Sequence, residues 1–406
     1  MVVYLVKLVN RGYSMSEKKA IFFINILKNT INVYFDTFFV FYFFKVANYE
    51  VLPLAKYYLT LYLFIGIGFY LIRKSMKKNI RVPYFRIGIS LQAIYIALIM
   101  LLKDKIIDYI FLVGIAKGLA DGFYYFPKNI FVTEKINNDE RQKYDGLLNI
   151  INKIISICVP LILGVALTYI SYTNLGKVFF VLFIVMFIIS FYLVDSVYND
   201  KKFEIKKFFE IVKKNKNIKD SLIIYFMAGF TYSSGVMGTI ITLSKINIFK
   251  TNLNLGFVDS ICALVYLIVC ILFTSKIKRE NFKNTILTSS IISFITLMVF
   301  AFKPSIPVLI AYLIVRNSFI GLINLISNNV TTNLSNSKEL KEEFKAEYFL
   351  CRDVIYSSSR CLGYLVLLVV CLTVGMNYIN YILIISAVAL LVEGILVAKL
   401  SKESVK

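Results

Sequence analysis

Apolar runs of helical length follow one another along almost the whole chain, separated by short polar connections. They cover residues about 20–45, 52–72, 84–102, 107–132, 146–171, 174–195, 221–244, 254–275, 284–302, 305–331, 348–374 and 378–398. Roughly 20 apolar residues suffice to cross a bilayer as a helix, so the pattern predicts an all-α polytopic membrane protein with twelve transmembrane helices. Polar residues inside these runs fall on stripes. In the first run Asn25, Lys28, Asn29, Asn32 and Asp36 share one helical face. In the fourth, Lys117, Asp121, Tyr125 and Lys128 do the same, and Lys117 and Asp121 have the i, i+4 spacing of an ion pair. Such a pair would lower the cost of burial and act as a gate if a substrate competed for the lysine. The fifth run carries Asn149, Asn152, Lys153, Ser156 and Pro160 on one face, and the proline frees a backbone carbonyl.

The stretch from Ile106 to Ile170 recurs 199 residues later without a gap. Lys117 maps onto Arg316, Gly122 onto Gly321, Asn129 onto Asn328, Thr133 onto Thr332, Lys153 onto Arg352 and Gly164 onto Gly363. Basic residues and glycines held in one register across a polar loop predict two related six-helix halves around a central site. The expected division is a tail at 1–19, a half at 20–195, a linker at 196–220, a half at 221–398 and a tail at 399–406. Met15 with Ser-Glu-Lys-Lys behind it reads as a sensible start just before the first run. In the linker, Ile205, Phe208, Phe209 and Val212 form an apolar stripe among lysines, which predicts an amphipathic helix on the inner leaflet. The seventh run has no interior charge; its Thr231, Ser233, Ser234, Gly235 and Gly238 suit close helix packing or a local break. Glu393, near the end of the twelfth, reads as a carboxylate snorkelling to the cytoplasmic surface.

Composition supports the membrane assignment: 58% of residues are hydrophobic and 17% charged, with a mean hydropathy of +0.73. The net charge of +22 on a soluble surface would suggest nucleic acid. Here 30 of the 46 Lys and Arg residues lie in the termini and even-numbered loops, and the odd-numbered loops carry few. The charge is therefore a topological signal placing both termini in the cytoplasm, and no nucleic-acid partner is expected. All six cysteines lie in apolar runs and read as buried small hydrophobes rather than as a disulfide frame. There is no histidine, which removes the commonest general base and metal ligand, and no GxxxxGK[ST] loop. Neither an enzyme nor a metal or cofactor site is expected.

Twelve helices as six plus six, a basic central linker, internal termini and a basic loop from Arg73 to Arg81 resemble a major facilitator superfamily (MFS) transporter. Of that family's helix 2–3 loop pattern, Gly68, Leu71, Lys77 and Lys78 remain, with Ile72 where an Asp belongs. The helix-5 antiporter motif is reduced to Pro160 and Gly164. The resemblance implies alternating access: two halves rock around a midplane site, driven by a proton or solute gradient. It requires no obligatory protein partner. The richness in Ile, Lys, Asn, Phe and Tyr suggests an AT-rich bacterial genome, so the expected location is a bacterial cytoplasmic membrane.

The residues add a sign. Lys28, Lys117, Lys128, Lys153, Arg316, Arg352 and Arg360 outnumber Asp36, Asp121 and Asp353 at membrane depth. A basic cavity favours a small anionic or carboxylate-bearing solute. The candidate substrate-binding residues are Lys28, Asn32, Lys117, Lys153, Arg316, Arg352 and Arg360. Asp36 and Asp121 are the candidate proton-coupling residues, since burial and a neighbouring substrate both act on a carboxylate's proton affinity. The competing expectations are a proton-driven exporter of amphipathic drugs or peptides, with Asp36 recognising a cation, and a transporter of a lipid-linked substrate.

Overall fold

The computed structural model describes residues 16–78, 80–135, 138–195, 203–232, 235–276, 281–335, 340 and 344–403. The expected tail up to Met15 and the last three residues lie outside this set. Every regular element among the described residues is helical.

Helix α1 runs from Glu17 to Val33, continues through a π-helical segment at Tyr34–Phe39 and ends as Val40–Val46. Ser16 caps it by accepting from the Lys19 amide, with Glu17 in the first turn facing the positive helix end. Next come α2 (Val51–Lys77), α3 (Val82–Leu102), α4 (Ile110–Lys135), α5 (Asn138–Tyr169) and α6 (Tyr172–Ile189). The linker helix is Ile205–Lys214, as its apolar stripe predicts. It does not simply float on lipid, however: Phe208 is fully buried beside Tyr348, and the Glu347 carboxylate accepts from the Glu204 amide at 3.0 Å. Only Phe209 of the stripe is largely exposed.

The second set begins with α7, broken into Lys216–Thr231 and Val236–Phe249. It continues with α8 (Asn252–Lys276) and α9 (Phe282–Phe302). Helix α10 comprises Ile306–Val315, a π-helical Arg316–Ile320 and Gly321–Ser335. The last two are α11 (Lys345–Thr373) and α12 (Ile382–Glu403). Ten spans among the described residues are long and apolar enough to cross a membrane. The two predicted spans outside that set are α1 and α4, the two that carry the charged stripes.

The packing has a two-fold pattern. Helices α3 and α6 pack together as α9 and α12 do, and α1 with α5 as α7 with α11. Across the middle, α2 lies against α11 and α5 against α8, which are exchanged pairs of the same symmetry. Backbone approach at the α5–α8 seam depends on missing side chains. A Cβ at Gly256 would stand 2.3 Å from the Pro160 carbonyl oxygen, and one at Gly164 would stand 2.9 Å from that of Asn252. Ser260 reinforces the seam by donating to the Ile157 carbonyl at 2.6 Å. Because the obstacle at Gly256 is backbone, Gly256→Ala must push the helices apart. The melting temperature should fall, with a cost of about 1–3 kcal/mol typical of overpacking.

At the turn between α2 and α3, Asp195 from beyond α6 accepts from the amides of Arg81 and Val82 at 2.7 and 3.0 Å. It thereby satisfies the exposed start of α3. Burial pushes the Arg81 guanidinium down to about 10, against the pull of Asp195.

Candidate functional site

Two cavities lie between the halves. The first, of about 500 Å³, is bounded by α1, α2, α4, α7 and α11; Asn32, Asp36, Lys117, Asp121, Arg352 and Arg360 line it, with aromatic walls. The second, of about 360 Å³, is bounded by α1, α5, α7, α8 and α10 and holds Lys153, Lys245, Asp259 and Arg316. Asp36 and Tyr232 line both. These two residues mark the interruptions of α1 and α7, and the 199-residue offset maps Asp36 onto Gly235. The two helices are therefore interrupted at equivalent places, where freed backbone and irregular turns border a cavity.

The charges sort into groups. Asp121 accepts from Lys117 at 3.0 Å, from Lys28 at 3.4 Å and from Gln92 at 3.2 Å. Lys28 is only 2% exposed and sits behind the wall of the first cavity, with the rings of Tyr124, Tyr125 and Phe183 around its ammonium at 5.5–5.8 Å. It lines neither cavity. The rest of the α1 stripe divides similarly. Asn25 and Asn29 bond to Tyr144 and Asn152 of α5, whereas Asn32 donates to the Tyr125 hydroxyl at the cavity edge.

On α11, Arg352 pairs with its neighbour Asp353 at 2.6 Å, and Asn129 of α4 donates to the same carboxylate at 3.2 Å. Arg360 donates to the Tyr356 hydroxyl and lies 3.8 Å from the Tyr356 ring and 5.0 Å from that of Tyr62. Its Nε is buried without an acceptor. Tyr58, Tyr62 and Tyr364 stack into the continuing wall at 4.8–6.1 Å. In the second cavity Lys245 pairs with Asp259, which also accepts from Thr37 at 2.6 Å. Lys153 stands 3.3 Å over the Tyr266 ring. Arg316 lies at the π-helical turn of α10 with no ion pair among the described residues.

Of the nine residues expected at the site, eight line one or other cavity; Lys28 is the exception. Sequence reading missed Lys245 and Asp259, the tyrosine walls and the placement of Glu393. Asp259 carried a signal, since a carboxylate within an apolar run marks function or pairing. The snorkelling expectation for Glu393 does not hold. It is 1% exposed and accepts from Thr231 at 3.0 Å, because α12 continues to Glu403 and keeps it inside. Asn328, Thr133 and Thr332 lie outside the described side chains.

This two-fold arrangement of helices around paired central cavities agrees with a family match. The model of the Major Facilitator Superfamily matches residues 58–342. The chain belongs to that superfamily. Among curated proteins, it is 22% identical over 325 residues to the uncharacterized protein YqgE of Bacillus subtilis (strain 168), covering 79% of this chain and 75% of that one. Two solved structures share the MFS fold over nearly the full length. The nucleoside transporter NupG has a TM-score of 0.65 and 13% identity, covering 94% of this chain and 99% of its own. A bacterial homologue of the iron transporter ferroportin, in its inward-facing state, has a TM-score of 0.63 and 15% identity, covering 95% and 98%. At these identities the likeness concerns the MFS fold alone.

Proposed function

We propose that this MFS transporter moves a small organic solute bearing an anionic group, by alternating access around the two joined cavities. The observation that carries this reading is the pairing of the buried charges. Lys28 and Lys117 share Asp121, Arg352 has Asp353, and Lys245 has Asp259. Arg360 in the first cavity and Arg316 in the second have no carboxylate among the described residues. Asp36, a carboxylate with no ion pair among the described residues, stands between them and is exposed to the cavities. A guanidinium presents a planar fork that matches a carboxylate or phosphate. A half-buried one that lines a cavity at membrane depth without a counter-ion suits such a group. Lys153, Asn32 and Arg352 complete the polar lining. Asp36 is the coupling carboxylate in this reading, and Asp121 serves chiefly as the anchor of two lysines.

The iron named for the ferroportin homologue does not transfer well. No group of three or more His, Cys, Asp or Glu residues is placed to hold a metal among the described residues. An exporter of amphipathic cations has one observation in its favour, the open Asp36 among Phe35, Phe39, Tyr58 and Tyr62. Both readings place the chain in a bacterial cytoplasmic membrane with both termini inside, as the basic even-numbered loops suggest. Neither calls for enzymatic chemistry or an obligatory protein partner.

A ligand panel read by thermal stability separates the two, since a ligand bound only by the folded state raises its melting point. Organic anions and sugar phosphates should raise the melting temperature, while cationic drugs and neutral sugars should not. A rise with cationic drugs alone, abolished by Asp36→Asn, would replace the anion reading with the exporter.

A further inference from the structure

We propose that the first cavity is a ring-binding site and that the solute is a flat aromatic acid, with its ring on Tyr58 and Tyr62 and an acidic group at Arg360. The inference rests on the anion reading and narrows it. Tyr58 and Tyr62 are four residues apart on α2, so they are neighbours on one side of the helix, and both line the cavity. Their rings lie within 13° of parallel. Tyr364 of α11 is fully buried and stands behind this wall. It stacks on Tyr58 at 4.8 Å and on Tyr62 at 5.5 Å, within 19° and 14° of parallel. Its hydroxyl shares a 2.6 Å hydrogen bond with that of Thr239 on α7.

This order differs from other ring contacts around the cavity. Phe35, Phe39, Tyr57 and Tyr58 meet in succession at 59–68°, and Tyr356 meets Tyr232 and Tyr225 at 74° and 76°. Edge-on and tilted contacts of that kind are common where aromatic rings fill space. Three near-parallel rings, one of them locked from behind, instead hold a flat apolar surface ready before a ligand arrives, so little ordering remains to oppose binding. The partner that suits such a surface is another flat ring in offset stacking. The volume of about 500 Å³ lies within the range of small-molecule sites, roughly 300–1,000 Å³.

Arg360 stands at the edge of this platform. Its guanidinium is 5.0 Å from the Tyr62 ring and 3.8 Å from the Tyr356 ring, and it donates to the Tyr356 hydroxyl. Its Nε is buried without an acceptor. Contact with both rings restrains the plane of the fork, and a carboxylate or phosphate carried by the bound ring supplies the missing acceptor. The second cavity has no comparable surface. Among the described residues its lining rings are the shared Tyr232 and Tyr266. Tyr266 is covered by Lys153 at 3.3 Å and pressed on Gly321, where a Cβ would stand 2.3 Å from it. Thr37, Ser156, Asn317 and Asn324 add to the polar lining there. That cavity therefore takes a polar portion of the same solute, which passes Asp36 and Tyr232 toward Arg316.

Matched acids test the ring. Benzoate and phenyl phosphate would be compared with cyclohexanecarboxylate and cyclohexyl phosphate, equal in charge and close in size, by the ligand-dependent rise in melting temperature of the purified protein. The aromatic member of each pair should bind roughly 2- to 12-fold more tightly, the ratio expected of one added ring–ring contact. Tyr58→Leu should erase that ratio while keeping the response to the cyclohexane acids, and Tyr58→Phe should keep both. Equal affinities within each pair in the wild type, or a ratio that survives Tyr58→Leu, overturn the proposal. If Tyr58→Leu does not fold, the wild-type pairs decide alone. Neutral benzamide separates this inference from the anion reading and should shift the melting temperature less than benzoate. Equal shifts from the aromatic and cyclohexane acids remove the ring site and leave the anion reading standing. A benzamide shift as large as that of benzoate overturns the anion reading, and with it the acidic group assigned to Arg360. No shift with any of these compounds overturns both.

Discussion

Asp121→Asn is expected to be the most destabilising single substitution in the transmembrane region. The carboxylate holds two ammonium groups, Lys28 at 3.4 Å and Lys117 at 3.0 Å, whose side chains are 2% and 8% exposed. Replacing it with a neutral isostere leaves two like charges close together with no counter-ion. Breaking a buried pair in this way costs about 3–5 kcal/mol, and mutual repulsion of the lysines adds to it. The remedy identifies the cause. Changing Lys28 and Lys117 to methionine together with Asp121→Asn removes every charge at once, and neutral packing in place of buried ions is often neutral or stabilising. Melting of the purified proteins should therefore rank the triple variant near the wild type and Asp121→Asn far below both. If Asp121→Asn melts like the wild type, the lysines are not neutralised by this carboxylate.

The contrast between Lys117 and Lys28 shows how much of the site could be read from the chain. Lys117 and Asp121 are four residues apart on one helix, so the helical period alone brings them together, and the structure has that pair. Lys28 reaches the same carboxylate from another helix, and no spacing rule fixes how α1 is rotated against α4; helix rotation is set by packing. The order of the helices, the linker helix and the two-fold repeat were likewise legible, because they follow from apolar run length and from residue identity at a fixed offset. The pairing of Arg352 with Asp353 was not, since adjacent residues on a helix do not normally face each other. Lys245 and Asp259 face each other across the turn from α7 to α8, and Glu393 looked peripheral only because the end of α12 was placed too early. What the sequence concealed was mainly which charges neutralise which. That distinction decides which cations remain for a substrate.

Arg316→Ala is expected to abolish the stabilisation given by anionic ligands while leaving the unliganded protein intact. Arg316 sits on the π-helical turn of α10 and lines the second cavity without an ion pair among the described residues. Its removal therefore strands no buried carboxylate, unlike removal of Arg352, which would leave Asp353 without its cation. A hydrogen bond to a charged group contributes about 1.5–3 kcal/mol, and each 1.4 kcal/mol is about tenfold in affinity. Losing one such contact should weaken anion binding by roughly 10- to 150-fold, and loss of a bidentate pair should weaken it more. Arg316→Lys keeps the charge but not the fork, so it should recover part of the affinity for a point-like phosphate and less for a planar carboxylate. Arg360→Ala should weaken the same ligands if one solute spans both cavities, and should leave them unaffected if the second cavity binds alone. The measurement is the ligand-induced rise in melting temperature as a function of ligand concentration for each variant. An undiminished rise in Arg316→Ala would remove this arginine from the site and, with it, the main support for an anionic substrate.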